Sequence, residues 1–509
     1  EDFFVGFFKK TNHNKVMKKY IMSIDQGTTG SNVVIMDQGG SLVATSDRDF
    51  QQIFPHPGWV EHNPTDIWNS IESSAQEALK KAGVSANDIF TIGITNQRET
   101  VVAWRKSTSQ VLHNAIVWQC RRTSDMCKKL KPKWSKIIKD KTGLVLDPYF
   151  SGTKMRWLVE NVPEVAKALK ENDLAFGTID TFILWKLTQG RSYFTDVSNA
   201  SRMMVMNLKT LDWDAQLLKL FKINRSCLPQ IKSSADDFGT VYNCKFASNQ
   251  TTINGMAGDQ QSALFGQTCF SAGDSKCTFG TGSFILMNTG NKIVKSKFGL
   301  LSTVAWKIKN EKVTYALEGG AFVCGAAVGW LRDGLGIIQT SSEVEKLASQ
   351  VETTDGVEFV PTLTGLGAPY WCAEARGEIT GLTRGTTKAH IARATLEAMA
   401  LQNADILRAM QKDLKKKMKF LRVDGGASAN NLLMQIQSDY LQTDVVRPVM
   451  IETTAAGAAY LAGIGSGLWT MKDLQKISKV DRKFEVKMSL KNLNKRLVSW
   501  NKAIKKVRI

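Results

Sequence analysis

Two acidic residues, far apart in the sequence, each end a short apolar segment and are followed by amide side chains. Asp25 and Gln26 follow the apolar segment 20–24, and Asp259 and Gln260 come just after the apolar segment 253–257 and one glycine. Short apolar runs of this kind predict buried strands. Two acids at strand ends could serve phosphoryl transfer, a reaction that needs a metal ion and a proton acceptor. We predict that Asp25 holds Mg²⁺, directly or through water, and that Asp259 accepts the proton of an attacking hydroxyl.

Glycine- and threonine-rich turns lie close to both acids. Residues 27–31 read Gly-Thr-Thr-Gly-Ser, and Gly-Thr-Gly recurs at 280–282. Backbone amides that converge in such turns can cradle phosphate oxygens, although hairpin glycines are often only conformational. The repetition favours phosphate binding from two sides. The paired glycines at 425–426 suit the close approach of a flat adenine ring, with a plain strand-to-helix turn as the alternative.

Arg98 and Glu99 place a planar donor group beside an acceptor on consecutive residues. Together such groups can satisfy neighbouring hydroxyls of a small polyol. A local ion pair at a strand end is the alternative interpretation. The chain has no GxxxxGK[ST] motif and no protein-kinase HRD motif, which disfavours both of those nucleotide-binding folds.

The elements around these residues alternate between strands and helices. Residues 20–50 predict a strand meander, 64–82 an amphipathic helix, and 89–95, 101–104 and 115–118 further strands. The sequence pattern of 20–36 recurs from 275, and a later strand ends at Gly425-Gly426, with the next helix beginning at Asn430 and Asn431. This pattern predicts α/β layers in two similar domains that meet near 266–273.

Length and composition narrow the class of protein. A chain of 509 residues is too long for one core, and 43% hydrophobic with 22% charged residues is typical of a globular protein. No apolar run reaches the roughly 18 residues of a membrane span. The eight cysteines form no CxxC pair, which favours reduced thiols and a cytoplasmic location.

The net charge of +20 raises the alternative of a nucleic-acid-binding protein. Much of the excess lies in 472–508 and 413–419, without the alternation of basic and aromatic residues that single-strand binding needs. We therefore expect a solvated basic face and no nucleic-acid partner.

Thirteen ordered motifs resemble the glycerol kinases of the sugar and polyol kinase family, over roughly residues 19–469. The motifs include SIDQGTTGS at 23–31, FPHPGWVEHNP at 54–64, GITNQRET at 93–100, NAIVWQCRR at 114–122, GDQQSALFGQ at 258–267, TFGTGSFILMNTG at 278–290, YALEGG at 315–320 and RVDGGASANNLLMQ at 422–435. The resemblance implies an α/β fold of two actin-like, ribonuclease H-like domains, with the nucleotide and substrate cleft between them. It also implies transfer of phosphate from ATP, with Mg²⁺, to glycerol, giving sn-glycerol 3-phosphate.

The resemblance assigns roles by position. Asp259 matches the catalytic base. The positions that match glycerol contacts, including an apolar wall at Trp118 and Phe284, are Arg98, Glu99, Trp118, Tyr149, Asp259, Gln260 and Phe284. The positions that match nucleotide contacts are Thr28, Thr29, Gly30, Thr281, Gly325, Gly329, Gly426 and Asn430, with Asp25 near the metal. The chain departs from bacterial relatives at Asn32, where they usually have an arginine near the phosphates.

The resemblance and the composition together predict four segments. Residues 1–18 are an N-terminal extension. Within it, Met17 is predicted to be the natural start of the protein. Residues 19–267 bind glycerol and phosphate, 268–475 bind adenosine, and 476–509 form a basic helical segment. We expect a homodimer or higher homo-oligomer. The alternatives are a kinase of another polyol or sugar such as xylulose and, from another class, a non-catalytic actin-like nucleotide switch.

Overall fold

The computed structural model describes residues 20–372 and 374–508. The predicted N-terminal extension, 1–18, and its Met17 lie outside the described residues. Over these described residues, twenty-two strands form two large mixed sheets and four small ones. The strands are β1 Tyr20–Gln26, β2 Gly30–Met36, β3 Leu42–Asp49, β4 Glu61–His62, β5 Ile89–Asn96, β6 Val101–Arg105, β7 Val111–Ile116, β8 Leu174–Gly177, β9 Phe194–Asp196, β10 Met206–Asn207, β11 Asp212–Trp213, β12 Gln230–Lys232, β13 Thr252–Gly258, β14 Ser275–Phe279, β15 Ser283–Gly290, β16 Leu301–Trp306, β17 Thr314–Ala321, β18 Glu358–Val360, β19 Glu378–Thr380, β20 Phe420–Asp424, β21 Asp444–Pro448 and β22 Val480–Phe484.

Within the same two ranges, fifteen α-helices cover and connect these sheets. They are α1 Pro64–Ala82, α2 Ser124–Thr142, α3 Ser151–Asn161, α4 Pro163–Lys170, α5 Ile179–Leu187, α6 Val197–Ala200, α7 Ala215–Phe221, α8 Asp259–Gly266, α9 Gly325–Asp333, α10 Glu343–Ala348, α11 Lys388–Leu414, α12 Asn431–Leu441, α13 Thr453–Gly465, α14 Met471–Ile477 and α15 Leu490–Lys506. None of these helices is both long and apolar enough to cross a membrane.

The two large sheets share one topology, which confirms the predicted duplication. The first has the order β3-β2-β1-β5-β13, and the second contains the equivalent order β17-β15-β14-β20-β21, extended by β16 and β22 at its edges. In each sheet an antiparallel hairpin is followed by two strands parallel to its first strand. Because the carboxyl ends of these parallel strands lie on one edge, Asp25, Asn96 and Gly258 come to the same edge of the first sheet.

Helix α1 shows how local signals define an element. The Asn63 side chain accepts from Thr65 N at the start, Pro64 lies in the first turn, and Gly83 ends the helix in the left-handed conformation. Its bounds match the prediction. The predicted strand at 115–118 is less accurate, since β7 ends at Ile116 and Trp118 follows it.

Helices α8 and α13 join the two halves of the molecule. They pack against each other so closely that a Cβ on Gly457 of α13 would lie 1.9 Å from the Ser262 carbonyl oxygen of α8. Helix α13 also covers the first sheet, where a Cβ on Gly93 would lie 2.1 Å from the Ala458 carbonyl oxygen. Only glycine fits at such backbone contacts.

The C-terminal segment is integrated into the second half. Strand β22 pairs antiparallel with β21, and the indole of Trp500 on α15 is fully buried and donates to Asp405 at 2.7 Å. Strands β6, β7 and β8, which lie between β5 and β9 in the chain, form a separate sheet with the earlier strand β4 in the order β4-β7-β6-β8. Tyr149, a predicted substrate-binding residue, packs against the core beside this sheet.

Candidate active site

Asp259 lies at the junction of strand β13 and helix α8. Helix α8 begins directly after Gly258, the last residue of β13. The Asp259 carboxylate is 30% exposed, and one of its oxygens accepts from the Gln260 backbone amide at 2.6 Å. The same oxygen lies 3.0 Å from Nε of Arg98. An aspartate in the first turn of a helix is favoured by the helix dipole, so this carboxylate is held in place and remains partly exposed.

Arg98 follows strand β5 and is almost completely buried. Its two terminal nitrogens donate to the two carboxylate oxygens of Glu318, at 2.7 and 2.9 Å. One of them also donates to Gln261 at 3.1 Å, and the other reaches the Tyr149 hydroxyl at 3.4 Å. The guanidinium is therefore fixed in orientation by a two-point ion pair.

Arg202 completes a buried network of two arginines and two glutamates. It donates to Glu99 at 2.7 Å and to Glu318 at 3.0 Å. Burial by itself would raise the pKa of Glu318, but the guanidiniums of Arg202 and Arg98 hold that pKa at about 2. For Glu99, burial outweighs its two arginine neighbours and raises the pKa. The paired charges anchor the site, and Asp259 is their partly exposed neighbour.

Three aromatic side chains form a wall next to Arg98, whose guanidinium reaches the Tyr149 hydroxyl. The Trp118 ring meets Tyr149 edge-to-face with centroids 5.6 Å apart, and it meets Phe284 in the same way at 6.3 Å. All three residues are only partly buried. The structure thus brings together Trp118 and Phe284, the predicted apolar wall, with Tyr149, another predicted glycerol contact. They come from the loop after β7, the segment before α3 and strand β15.

The Trp118 indole also connects this wall to the first predicted phosphate turn. Its Nε1 donates to the Thr28 hydroxyl at 3.0 Å. The turn itself is closed by a hydrogen bond from Gly27 N to the Gly30 carbonyl at 2.8 Å, and Thr29 is exposed. These residues lie on the first half of the molecule, apart from the other predicted nucleotide residues.

Five predicted nucleotide residues line one cavity of about 550 Å³ in the second half. They are Thr281, Gly325, Gly329, Gly426 and Asn430. Val328, Leu396, Met399 and Leu433 add apolar surface to the same cavity. A cavity of this size, apolar with a few polar groups, suits a small organic ligand.

The two glycines at 425–426 have different roles. Gly425 has φ +82°, and a Cβ there would lie 2.6 Å from the Phe279 carbonyl oxygen. The backbone conformation and the packing therefore explain why this position is a glycine. A Cβ on Gly426 would meet nothing within 4 Å. Gly426 therefore faces the cavity, where a ring can approach the backbone closely.

Asp25 lies in an excess of negative charge. Burial raises its pKa to about 8, with further contributions from the carboxylates of Asp259 and Glu452. Across 20–372 and 374–508, no group of three or more His, Cys, Asp or Glu side chains is placed to hold a metal ion. Mg²⁺ is commonly held by one or two carboxylates with water and substrate phosphates. A nearby cation would stabilise the charged form of Asp25, so this carboxylate fits the ion.

Asn32, the departure noted in the sequence, lies opposite Asp25 in the β1–β2 pairing. Its amide donates to Glu452 at 3.2 Å and accepts from Thr45 at 2.7 Å. In this chain the Asn32 side chain therefore links β2 by a hydrogen bond to Glu452, which directly precedes α13.

Glu318, Arg202 and Lys276 belong to the site but are not among the residues predicted from the sequence. Glu318 lies 220 positions from the Arg98 that it binds. A single glutamate in the otherwise apolar, glycine-flanked segment YALEGG was the signal that could have identified it, because an acid in a buried strand needs a cationic partner.

Comparison with known proteins agrees with this architecture. The FGGY family of carbohydrate kinases matches in two parts, its N-terminal domain over 20–266 and its C-terminal domain over 275–466. A protein of Bdellovibrio bacteriovorus named glycerol kinase is 61% identical over 96% of this chain and all of its own length. One of Dichelobacter nodosus with the same name is 52% identical over 96% of this chain and 98% of its own.

Among solved structures, Plasmodium falciparum glycerol kinase with ADP superposes with a TM-score of 0.91. It is 38% identical, and the match covers 97% of this chain and 99% of that one. A xylulose kinase from Lactobacillus acidophilus, 23% identical with a TM-score of 0.84 over 95% of this chain and 96% of its own, shows the same fold. The shared topology confirms the predicted two-domain actin-like α/β fold, and the chain belongs to the FGGY family of carbohydrate kinases.

Proposed function

We propose that this protein phosphorylates glycerol, with ATP as the donor, to give glycerol 3-phosphate. The observation that carries the proposal is the position of Asp259. Its carboxylate is partly exposed and is oriented by Arg98 at 3.0 Å, and Arg98 also reaches Tyr149 of the Trp118–Tyr149–Phe284 wall. Relatives named glycerol kinase at 61% and 52% identity over nearly the whole chain support the same substrate.

Asp259 acts on the attacking hydroxyl. A hydroxyl keeps its proton until its oxygen begins to bond to phosphorus, and a carboxylate is a weak base in water. The task of Asp259 is therefore to orient the hydroxyl and take its proton late, as the transition state becomes more acidic. Arg98 keeps the carboxylate in position for that transfer.

The fixed polar groups and the aromatic wall select a small polyol. Arg98 and Glu99 are the proposed partners of neighbouring hydroxyls, and the wall covers carbon atoms. A longer sugar places additional hydroxyls against aromatic carbon, where they lose hydrogen bonds.

The two halves supply the nucleotide contacts. Thr28, Thr29 and Gly30 face the phosphates from the first half, and the cavity lined by Gly426 and Asn430 takes the adenosine. Asp25 would hold Mg²⁺, which neutralises phosphate charge when bound. Closure of residues 19–267 onto 268–475 would exclude water from the reaction. A homo-oligomer and a cytoplasmic location remain predictions.

The test is a substrate panel for the purified protein. ATP consumption is measured with glycerol, dihydroxyacetone, xylulose and erythritol, and the product from glycerol is identified by mass spectrometry. Glycerol should have the highest kcat/KM by a wide margin. Equal turnover of xylulose would overturn the assignment and favour the alternative of a sugar kinase. ATP hydrolysis without any phosphorylated product would instead favour the nucleotide switch.

A further inference from the structure

Lys276 is a buried lysine on strand β14, next to the proposed substrate site but outside the predicted set. Its side chain is fully buried, and burial lowers its pKa, opposed by the carboxylates of Asp424 and Asp259. A buried ammonium is costly unless its hydrogens find acceptors. The acceptors here are the Thr278 hydroxyl at 2.7 Å and the side-chain oxygen of Gln260.

The contact with Gln260 determines which way its carboxamide faces. An ammonium has only donors, so it can bind the oxygen of the carboxamide and not the nitrogen. With Oε1 facing Lys276, Nε2 must face the other way. Throughout the described part of the chain, Gln260 Nε2 has no protein acceptor. The nitrogen is therefore an available donor at the start of α8.

Asp259 and Gln260 then offer complementary groups from consecutive positions. The Asp259 carboxylate accepts a hydroxyl proton, and Gln260 Nε2 donates to a hydroxyl oxygen. A reversed carboxamide would place two acceptors side by side and leave one hydroxyl lone pair without a donor. The contact also joins the two halves, since Gln260 belongs to α8 and Lys276 to the strand that leads into the Gly280–Gly282 turn.

We propose that Lys276 is a positioning residue that locks the Gln260 carboxamide so that its Nε2 donates to a hydroxyl of the polyol substrate. The inference rests on the proposed function, since it names the contact that orients glycerol. Lys276 touches neither substrate nor phosphate in this role and acts only through Gln260.

A double-mutant cycle tests the proposal. Lys276→Met should raise the KM for glycerol roughly 10-fold, the scale of one lost hydrogen bond, with kcat changed by less than about 3-fold. Lys276→Arg, which still donates to Oε1, should keep KM within about 3-fold. Gln260→Leu should raise KM by a similar factor, and the double variant should match Gln260→Leu alone, because Lys276 then has nothing to orient.

A double variant whose KM rises by roughly the product of the single effects, about 100-fold, would overturn the proposal. Equal KM for wild type and Lys276→Met would do the same. If Lys276→Met fails to fold, Gln260→Glu replaces it, since the carboxylate keeps the contact with Lys276 but has no donor; unchanged KM in that variant would also contradict the proposal. Wild-type protein inactive on glycerol would overturn the proposed function itself, whereas active wild type with additive variants would overturn only the role of Lys276.

Discussion

Glu318→Gln should be strongly destabilising although it changes few atoms. Glu318 is 3% exposed and is the shared partner of two buried guanidiniums. It accepts from Arg98 at 2.7 and 2.9 Å and from Arg202 at 3.0 Å. The glutamine keeps one acceptor, but its NH₂ group must face an arginine, and the network loses one of its two glutamate charges.

The magnitude follows from the pKa of this glutamate. Arg202 and Arg98 overcome the effect of burial and hold the Glu318 pKa at about 2, below its ordinary 4.5. A difference of about 2.5 pKa units corresponds to about 3 kcal/mol of stability. Removing one partner of a buried ion pair usually costs about 3–5 kcal/mol, so we expect a loss of about 3 kcal/mol, because Glu99 remains near Arg202.

The assay is urea unfolding of wild type and Glu318→Gln between pH 7 and pH 3. A lowered carboxyl pKa contributes stability that is fully present above pH 4.5 and is lost as the pH falls through 2. The difference between the two proteins should therefore be constant near pH 7 and shrink below pH 4.5. The KM for glycerol should rise as well, since Arg98 orients Asp259.

Glu160→Gln is the matched control. Glu160 also pairs with two cations, Arg156 at 3.0 Å and Lys222 at 2.7 Å, but its side chain is 29% exposed. Partly exposed pairs are worth about 0–1 kcal/mol. If Glu318→Gln lost no more stability than Glu160→Gln, the buried network would not be the anchor of the site.

Two further predictions concern the pH profile and the packing of the helices. Burial holds the His62 pKa at about 4, below its ordinary 6.5, so stability should fall as the pH drops from 6.5 to 4, and His62→Gln should flatten that part of the melting-temperature profile. A profile unchanged by the substitution would show that other groups titrate there. Gly457→Ala should cost about 3 kcal/mol in unfolding experiments, because its Cβ would lie 1.9 Å from the Ser262 carbonyl oxygen. Gly385→Ala, where the nearest heavy atom is 3.7 Å away, is the control, and equal losses in the two variants would argue against tight α8–α13 packing.

The local elements were predictable because their signals are short-range. Helix α1 has a capping asparagine, an early proline and a final glycine within one segment, and both hairpins show apolar runs around glycine turns. The duplication followed from that repeated pattern. Strand β7 was placed too late because Val117 and Trp118 are apolar for a tertiary reason, the Trp118 ring forming part of the wall over the cleft.

The candidate site was predictable only in part. Asp259, Arg98 and Glu99 were identified from their residue types and from family resemblance, and their roles stay predictions. Glu318 and Lys276 depend on contacts between the two halves of the chain, and no local pattern states which distant charge a buried arginine or lysine will meet. Such pairings are set by the fold.

The most direct test of the central claim measures binding and turnover in Asp259→Asn. The substitution keeps the shape of the side chain and an oxygen that Arg98 can bind, but it removes the proton acceptor. Calorimetry should find glycerol affinity within about 3-fold of wild type, and kcat should fall by roughly 100-fold or more, the scale of losing a general base. Near-normal kcat in Asp259→Asn, with glycerol still bound, would contradict the account and move the role of base to another acid in the cleft.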